Sequence, residues 1–154
     1  MYQIEIWGPG RLKKTSKDVI SWDGYCYVHE NITLGKINRL KKLHPGAKII
    51  VHSECPKPVR DAADFIGSIA QMLKYARQFE GKEFIVGTED GLIHRLQKEN
   101  PDKRFYPVGT ICRGMKETTP EDIATFLEEM RYRIEISEDI RVKAKDALDK
   151  MIDI

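Results

Sequence analysis

Three cysteines, four histidines and a few carboxylates are the side chains of this chain that can do more than pack. Cys26, Cys55 and Cys112 are widely separated. They form neither a C-x-x-C pair nor a disulfide framework, so in a reducing compartment they are thiols or metal ligands. An isolated cysteine is also a common small apolar core residue, and spacing alone leaves both readings open. His52 and Glu54 flank Ser53 directly after the apolar run Ala47 to Val51. A carboxylate at a strand end can take or give a proton once burial raises its pKa, and an imidazole can donate to a carbonyl or carboxylate oxygen. The plainer reading of the pair is a solvated carboxylate beside a hydrogen-bonded histidine. Ser68 precedes an amphipathic stretch and can cap it. The four histidines are too scattered for a zinc pattern, and His94 reads as structural, on an apolar helix face.

The elements that must position these groups are legible around Glu83-Phe84-Ile85-Val86-Gly87, whose unbroken apolar run suits a strand buried on both faces of a parallel sheet. Thr88 or Asp90 can cap a helix carrying Leu92, Ile93 and Leu96 on one face, which Asn100-Pro101 ends, and Arg104 to Tyr106 reads as the next strand. Upstream, Thr33 to Leu43 is predicted as a helix with Leu34, Ile37 and Leu40 inward, and Ala47 to Val51 as a strand. A short helix from Val59 to Ala63, a brief strand at Phe65-Ile66-Gly67, and a helix from Ser68 to about Glu80 burying Ile69, Met72, Leu73 and Ala76 complete the series. The fold class is therefore α/β: a Rossmann-like three-layer αβα sandwich with a parallel sheet, whose post-strand loops lie along the edge where ligands bind.

On either side of this core the pattern is looser. Gln3 to Trp7 and Asp18 to Trp22 read as strands around a turn at Gly8-Pro9-Gly10. Thr119-Pro120-Glu121-Asp122 opens a helix running to about Arg131, Arg133 to Ile136 alternates, and Ser137 starts a last helix with Ile140, Ala144, Ala147, Leu148 and Met151 toward a core. A chain of 154 residues with 41% hydrophobic and 32% charged residues suits one soluble domain. A net charge of +2 gives no case for nucleic acid, and the basic clusters Arg11 to Lys14 and Arg39 to Lys42 read as solvated faces. No apolar run approaches the roughly 18 residues of a membrane span, and no signal-peptide pattern opens the chain, so the expected location is cytoplasmic.

Several segments carry a resemblance. GYCYVHE (Gly24 to Glu30), HPGAKIIVHSEC (His44 to Cys55), ADFIGS (Ala63 to Ser68), EFIVGTE (Glu83 to Glu89), LIHRLQKENPDK (Leu92 to Lys103), FYP (Phe105 to Pro107) and Cys-x-x-Met-Lys (Cys112 to Lys116) occur in this order. Together they resemble quinolinate synthase, the iron-sulfur enzyme that makes the pyridine ring of NAD. The resemblance implies three Rossmann-like domains about a pseudo-threefold axis. Residues 1–25 would be the tail of the second domain, 26–111 the third, and 112–154 helices that pack on the first, with Met1 falling in the middle of the usual enzyme.

It also implies a 4Fe-4S cluster held by one cysteine from each domain, the second and third matching Cys26 and Cys112. Cys55 is left to packing or the rim of the site. His52 and Glu54 match the family's HPEC motif, with Ser53 in place of Pro, and would move protons beside the open iron. Ser68 matches a Gly-Ser-Thr segment that binds substrate anions, with Ile69 where Thr is usual. His29 and Glu30 match VHE and would support Cys26. The implied substrates are iminoaspartate and dihydroxyacetone phosphate, and the implied partner is an N-terminal-half chain or a second copy. The alternative is a non-catalytic αβ ligand-binding or interaction domain that kept the fold. On the first reading, Cys26 and Cys112 open onto one face, Cys55 points elsewhere, and His52 and Glu54 border one cleft.

Overall fold

A computed structural model of the chain describes residues 24–152, together with the backbone of 3–5 and 19–21. The predicted turn at Gly8-Pro9-Gly10, the cluster Arg11 to Lys14, and the strand ends at Trp7 and Trp22 lie outside the described residues. Strands β1 (Gln3–Glu5) and β2 (Val19–Ser21) pair in parallel. The chain divides into two compact units, one ending at Cys112 and one beginning at Arg113.

The first unit is built on β3 (Lys48–His52), β4 (Phe65–Gly67), β5 (Glu83–Gly87) and β6 (Arg104–Pro107), ordered β4-β3-β5-β6 and parallel throughout. Successive side chains of a strand point to opposite faces. Ile49, Val51 and Ile85 therefore join Ile32, Ile37 and Val59 on one side. Ile50, Phe84 and Val86 join Met72, Leu73, Ala76, Leu96 and Phe105 on the other. The helices divide accordingly. Of α1 (Tyr27–Glu30), α2 (Leu34–Leu43) and α3 (Lys57–Asp61), the last two contribute Ile37 and Val59 to the first cluster. Met72, Leu73 and Ala76 from α4 (Ile69–Gln78), with Leu96 from α5 (Leu92–Glu99), fill the second. This is the expected αβα sandwich. From β3 the chain passes through α3 to β4 on one side, then crosses through α4 to β5 on the other, so the gap between the carboxyl ends of β3 and β5 is the sheet's switch point.

Helix starts follow local chemistry in two cases. Thr33 accepts from the Lys36 N–H, and Ser68 forms a reciprocal capping box with Gln71. A Cβ at Gly67 would lie 2.9 Å from both Cβ and Oε1 of Gln71, so glycine there leaves room for the box. The start of α5 differs from expectation, since its N-cap is Gly91 and neither Thr88 nor Asp90 caps it. Asp90 instead accepts from the Thr110 N–H at 3.1 Å, and the Thr88 carbonyl accepts from the Thr110 hydroxyl at 2.9 Å. These bonds tie the loop after β5 to the segment after β6, and for the Asp90 carboxylate a distant partner replaces a local one. Leu34 and Ile69, expected inward, are each 37% exposed. Both occupy the first position of their helix, ahead of the residues that reach the core.

Lys103 is buried, and its Nζ donates to the carbonyls of Ala76 and Phe79, both at 2.7 Å, closing the end of α4. Helix ends leave such carbonyls without partners, and charge-assisted bonds to them are strong. Lys103→Met keeps the stem and removes the donor, so urea unfolding should show a loss of about 2–3 kcal/mol. An unchanged midpoint would contradict this.

Asp64 fixes the edge of the sheet in a different way, accepting from the Ile49 N–H at 2.8 Å and from Lys48 Nζ at 2.7 Å. Burial pushes its pKa up, but the Lys48 bond, the Ile49 N–H and the charges of Lys48 and Lys41 outweigh burial and leave it below the usual value. A carboxylate depressed by folding contributes stability above its unfolded pKa and loses it as pH falls through the lower folded value. Acid titration of stability should therefore be shallower below about pH 4 in Asp64→Asn than in the parent chain. Identical acid limbs would remove this role.

The second unit holds a 3-10 turn (Gly114–Lys116), α6 (Pro120–Glu129) and α7 (Glu138–Ile152). Thr119 and Asp122 form a capping box, with Pro120 at the first helical position. Arg133 to Ile136 is not a strand; alternation over four residues has no ladder to join among the described residues. Ile140, Ala144, Ala147, Leu148 and Met151, the stripe read as facing a core, are exposed in this unit, where nothing described covers that face of α7. Among the described residues no helix is long and apolar enough to cross a membrane.

Candidate active site at the switch point of the sheet

Cys26 is the N-cap residue of α1, and its side chain makes no capping bond. One turn of helix puts residues three apart on the same face, so Cys26 and His29 point together. His29 is 8% exposed and lies between the two strand ends. Its Nδ1 meets Glu54 Oε2 at 2.8 Å, beyond β3, and its Nε2 meets Thr88 Oγ1 at 2.9 Å, beyond β5. With Glu54 ionised, Nδ1 carries the proton and donates to the carboxylate. The His52 ring stacks on His29 with centroids 4.2 Å apart. The Glu54 backbone N–H donates to His52 Nδ1 at 3.2 Å, and the tautomer this requires has its proton on Nε2. His52 is thus set as an Nε2–H donor beside a carboxylate whose side chain is 29% exposed.

Among the described residues, Cys26, His29 and Glu54 offer sulfur, nitrogen and oxygen atoms all within 4.8 Å of one another. Cys112 is not part of this group; its Sγ accepts from the Tyr27 hydroxyl at 3.5 Å, which ties it to a side chain of α1. Cys55 is fully buried, and its thiol donates to the Gly87 carbonyl at 3.4 Å. It packs in the core between β3 and β5. Ser68 is exposed at the N-cap of α4, its hydroxyl accepting from the Gln71 N–H at 3.4 Å. The Ser53 N–H donates to the Gly67 carbonyl at 3.1 Å, which links the His52–Glu54 loop to the residue before Ser68.

Sequence reasoning named Cys26, His52 and Glu54, and the structure gathers them. His29, expected as a support for Cys26, and Thr88, expected as a helix cap, together bridge β3 and β5 around Glu54. The C-x-x-H spacing on a single turn was the available signal for His29. Glu30, paired with His29 in that reading, is exposed. His94 is exposed on α5, not on its apolar face. Two of the four histidines, His29 and His52, meet despite their separation in sequence, while His44 stacks on Tyr106.

A parallel α/β domain with thiol, imidazole and carboxylate groups gathered at its switch point belongs to the class of α/β proteins with a metal-competent ligand site. The family model described as quinolinate synthetase A protein (NadA) matches residues 10–153, and the chain belongs to this family. Relatives called quinolinate synthase include those of Thermodesulfovibrio yellowstonii, 49% identical over 138 residues, and Dehalococcoides mccartyi, 46% identical over 142. That of Caldicellulosiruptor bescii is 43% identical over 140. These matches take in 88%, 91% and 90% of this chain but 46%, 47% and 46% of the relatives. The chain spans about half the length of the curated relatives it matches.

Proposed function

We propose that this chain is the part of a quinolinate synthase that carries two of the cluster thiols and the acid-base pair, acting in NAD biosynthesis. The whole enzyme would condense iminoaspartate with dihydroxyacetone phosphate to quinolinate. Family membership over almost the full chain supports the reading. The observation that carries it is the convergence of Cys26, His29, His52 and Glu54 at the switch point.

A 4Fe-4S cluster is supported by the chemistry of the thiols, since Cys26 and Cys112 are partly exposed while Cys55 is committed to the core. Cys26 and Cys112 would hold it, and when bound it would supply a Lewis acid toward substrate oxygen or nitrogen. The rest is work for the side chains. Glu54 Oε2, anchored by His29, would take a substrate proton and return it to a departing hydroxyl. His52 Nε2–H would donate to a substrate carboxylate or carbonyl oxygen, and Ser68 with the amides opening α4 would hold an anionic group. Ile69 withholds the hydroxyl that Thr supplies in the family's motif. Free thiols and the NAD pathway support a cytoplasmic location.

This chain has three cysteines, one of them in the core, so a third cluster thiol must come from elsewhere. We therefore propose an N-terminal-half chain as partner. A second copy, packing through the exposed stripe of α7, is the other way to cover these surfaces. The test is growth without nicotinate of a bacterium lacking its own quinolinate synthase. Co-expression of this chain with the unmatched half of the T. yellowstonii relative should restore growth, and this chain alone should not. No growth with a co-purifying pair would favour the non-catalytic domain.

A further inference from the structure

We propose that Cys26 Sγ, His29 Nδ1 and the Glu54 carboxylate form a site for a single thiophilic divalent cation, Zn2+ above all, occupied only when no cluster is bound. The three donor atoms already lie within 4.8 Å of one another, each from a different residue. Around tetrahedral zinc, donor atoms stand roughly 3.3–3.7 Å apart, so the site needs a contraction on the order of 1 Å at most and a small opening of the 2.8 Å His29–Glu54 contact. A thiolate, an imidazole and a carboxylate suit zinc or ferrous iron and disfavour magnesium and calcium, which take oxygen alone.

Its surroundings are those of a built site. His29 is buried, and its other nitrogen is fixed by the hydroxyl of Thr88, itself 2% exposed. Metal-binding histidines characteristically hold such a partner, which sets the ring and the nitrogen offered. Once the metal is bound, Nε2–H donates to Thr88 Oγ1 and Nδ1 turns its lone pair inward. Binding releases the Cys26 thiol proton to solvent, with no change of oxidation state. Glu54 and His29 are used by the mononuclear ion and not by the cluster thiolate set, yet Cys26 is common to both. Occupancy is therefore exclusive, and zinc at this site blocks cluster loading and removes Glu54 from proton transfer.

Cobalt(II) is the probe, added anaerobically to the full cluster-free chain, so the readout depends on neither cluster nor turnover. One Co2+ per chain should bind with a thiolate-to-cobalt charge-transfer band and the strong visible bands of a tetrahedral site, and Zn2+ should displace it. Cys26→Ser should abolish the charge-transfer band. Thr88→Val, which touches no metal, should weaken binding about 10–100-fold. His29→Ala and the nearly isosteric Glu54→Gln should each weaken it at least about tenfold, with circular dichroism confirming the fold. Cys112→Ala should leave the spectrum intact. Absence of bound cobalt in the folded chain overturns the proposal. So does a band that survives Cys26→Ser or needs Cys112, or an affinity that neither Glu54→Gln nor His29→Ala changes.

Discussion

Glu54→Gln in the completed enzyme is expected to lower kcat by about 10²–10⁴-fold while the fold and the affinity for substrate change little. The substitution keeps the volume of the side chain, and an amide oxygen can still accept from His29 Nδ1, which now holds Glu54 Oε2 at 2.8 Å. What is lost is the ability to take and return a proton. Glu54 is held by His29 and bordered by His52, and the loop from Ser53 to Pro56 has no other carboxylate to offset its loss. The check is anaerobic quinolinate formation over a range of both substrates, with circular dichroism on the variant. A kcat within about tenfold of the parent would remove Glu54 from the chemistry and leave it as part of the histidine scaffold.

The second large effect concerns the thiols. Cys26→Ala and Cys112→Ala are each expected to remove cluster iron and quinolinate formation, since either leaves one more iron without a protein thiolate. Cys55→Ala is expected to keep both. Cys55 has no exposure, donates to the Gly87 carbonyl and packs with Val51 and Ile85, so its replacement costs about 1 kcal/mol of stability and nothing in ligation. Iron per complex after anaerobic reconstitution separates the cases. Iron retained in Cys112→Ala, or lost in Cys55→Ala, would reverse the assignment.

Which parts of this arrangement could be read beforehand follows from where the determining forces are local. β3 and β5 were legible because a strand covered on both faces must be apolar at consecutive positions, and Ile49-Ile50-Val51 and Phe84-Ile85-Val86 are. The starts of α2, α4 and α6 were legible because Thr33, Ser68 and Thr119 bond to amides three residues on. Thr88 and Asp90 carry the same local signal, but partners distant in sequence take both, the Thr110 N–H bonding the Asp90 carboxylate and His29 Nε2 meeting the Thr88 hydroxyl. No window of sequence contains that contest. The apolar stripe of α7 was legible but its cover was not, since amphipathic spacing tells that a face is apolar without telling which chain covers it.

The site shows the same division. His52 and Glu54 could be chosen because they follow a buried strand, and strand ends face ligands in parallel sheets. His29 could not be tied to Glu54 without the topology that sets β3 beside β5 and α1 across their ends. Likewise Tyr27 is joined to Cys112 across 85 positions, a pairing visible only in the folded chain.

The most direct test of the central claim, that this chain is one part of a quinolinate synthase site and not the whole of it, is anaerobic assay of quinolinate by mass. Purified chain reconstituted with iron and sulfide, iminoaspartate and dihydroxyacetone phosphate should give no product above the protein-free control. The same mixture with the unmatched half of the T. yellowstonii relative should give quinolinate in proportion to the complex formed. Sustained turnover by the 154-residue chain alone with substoichiometric iron would contradict the account.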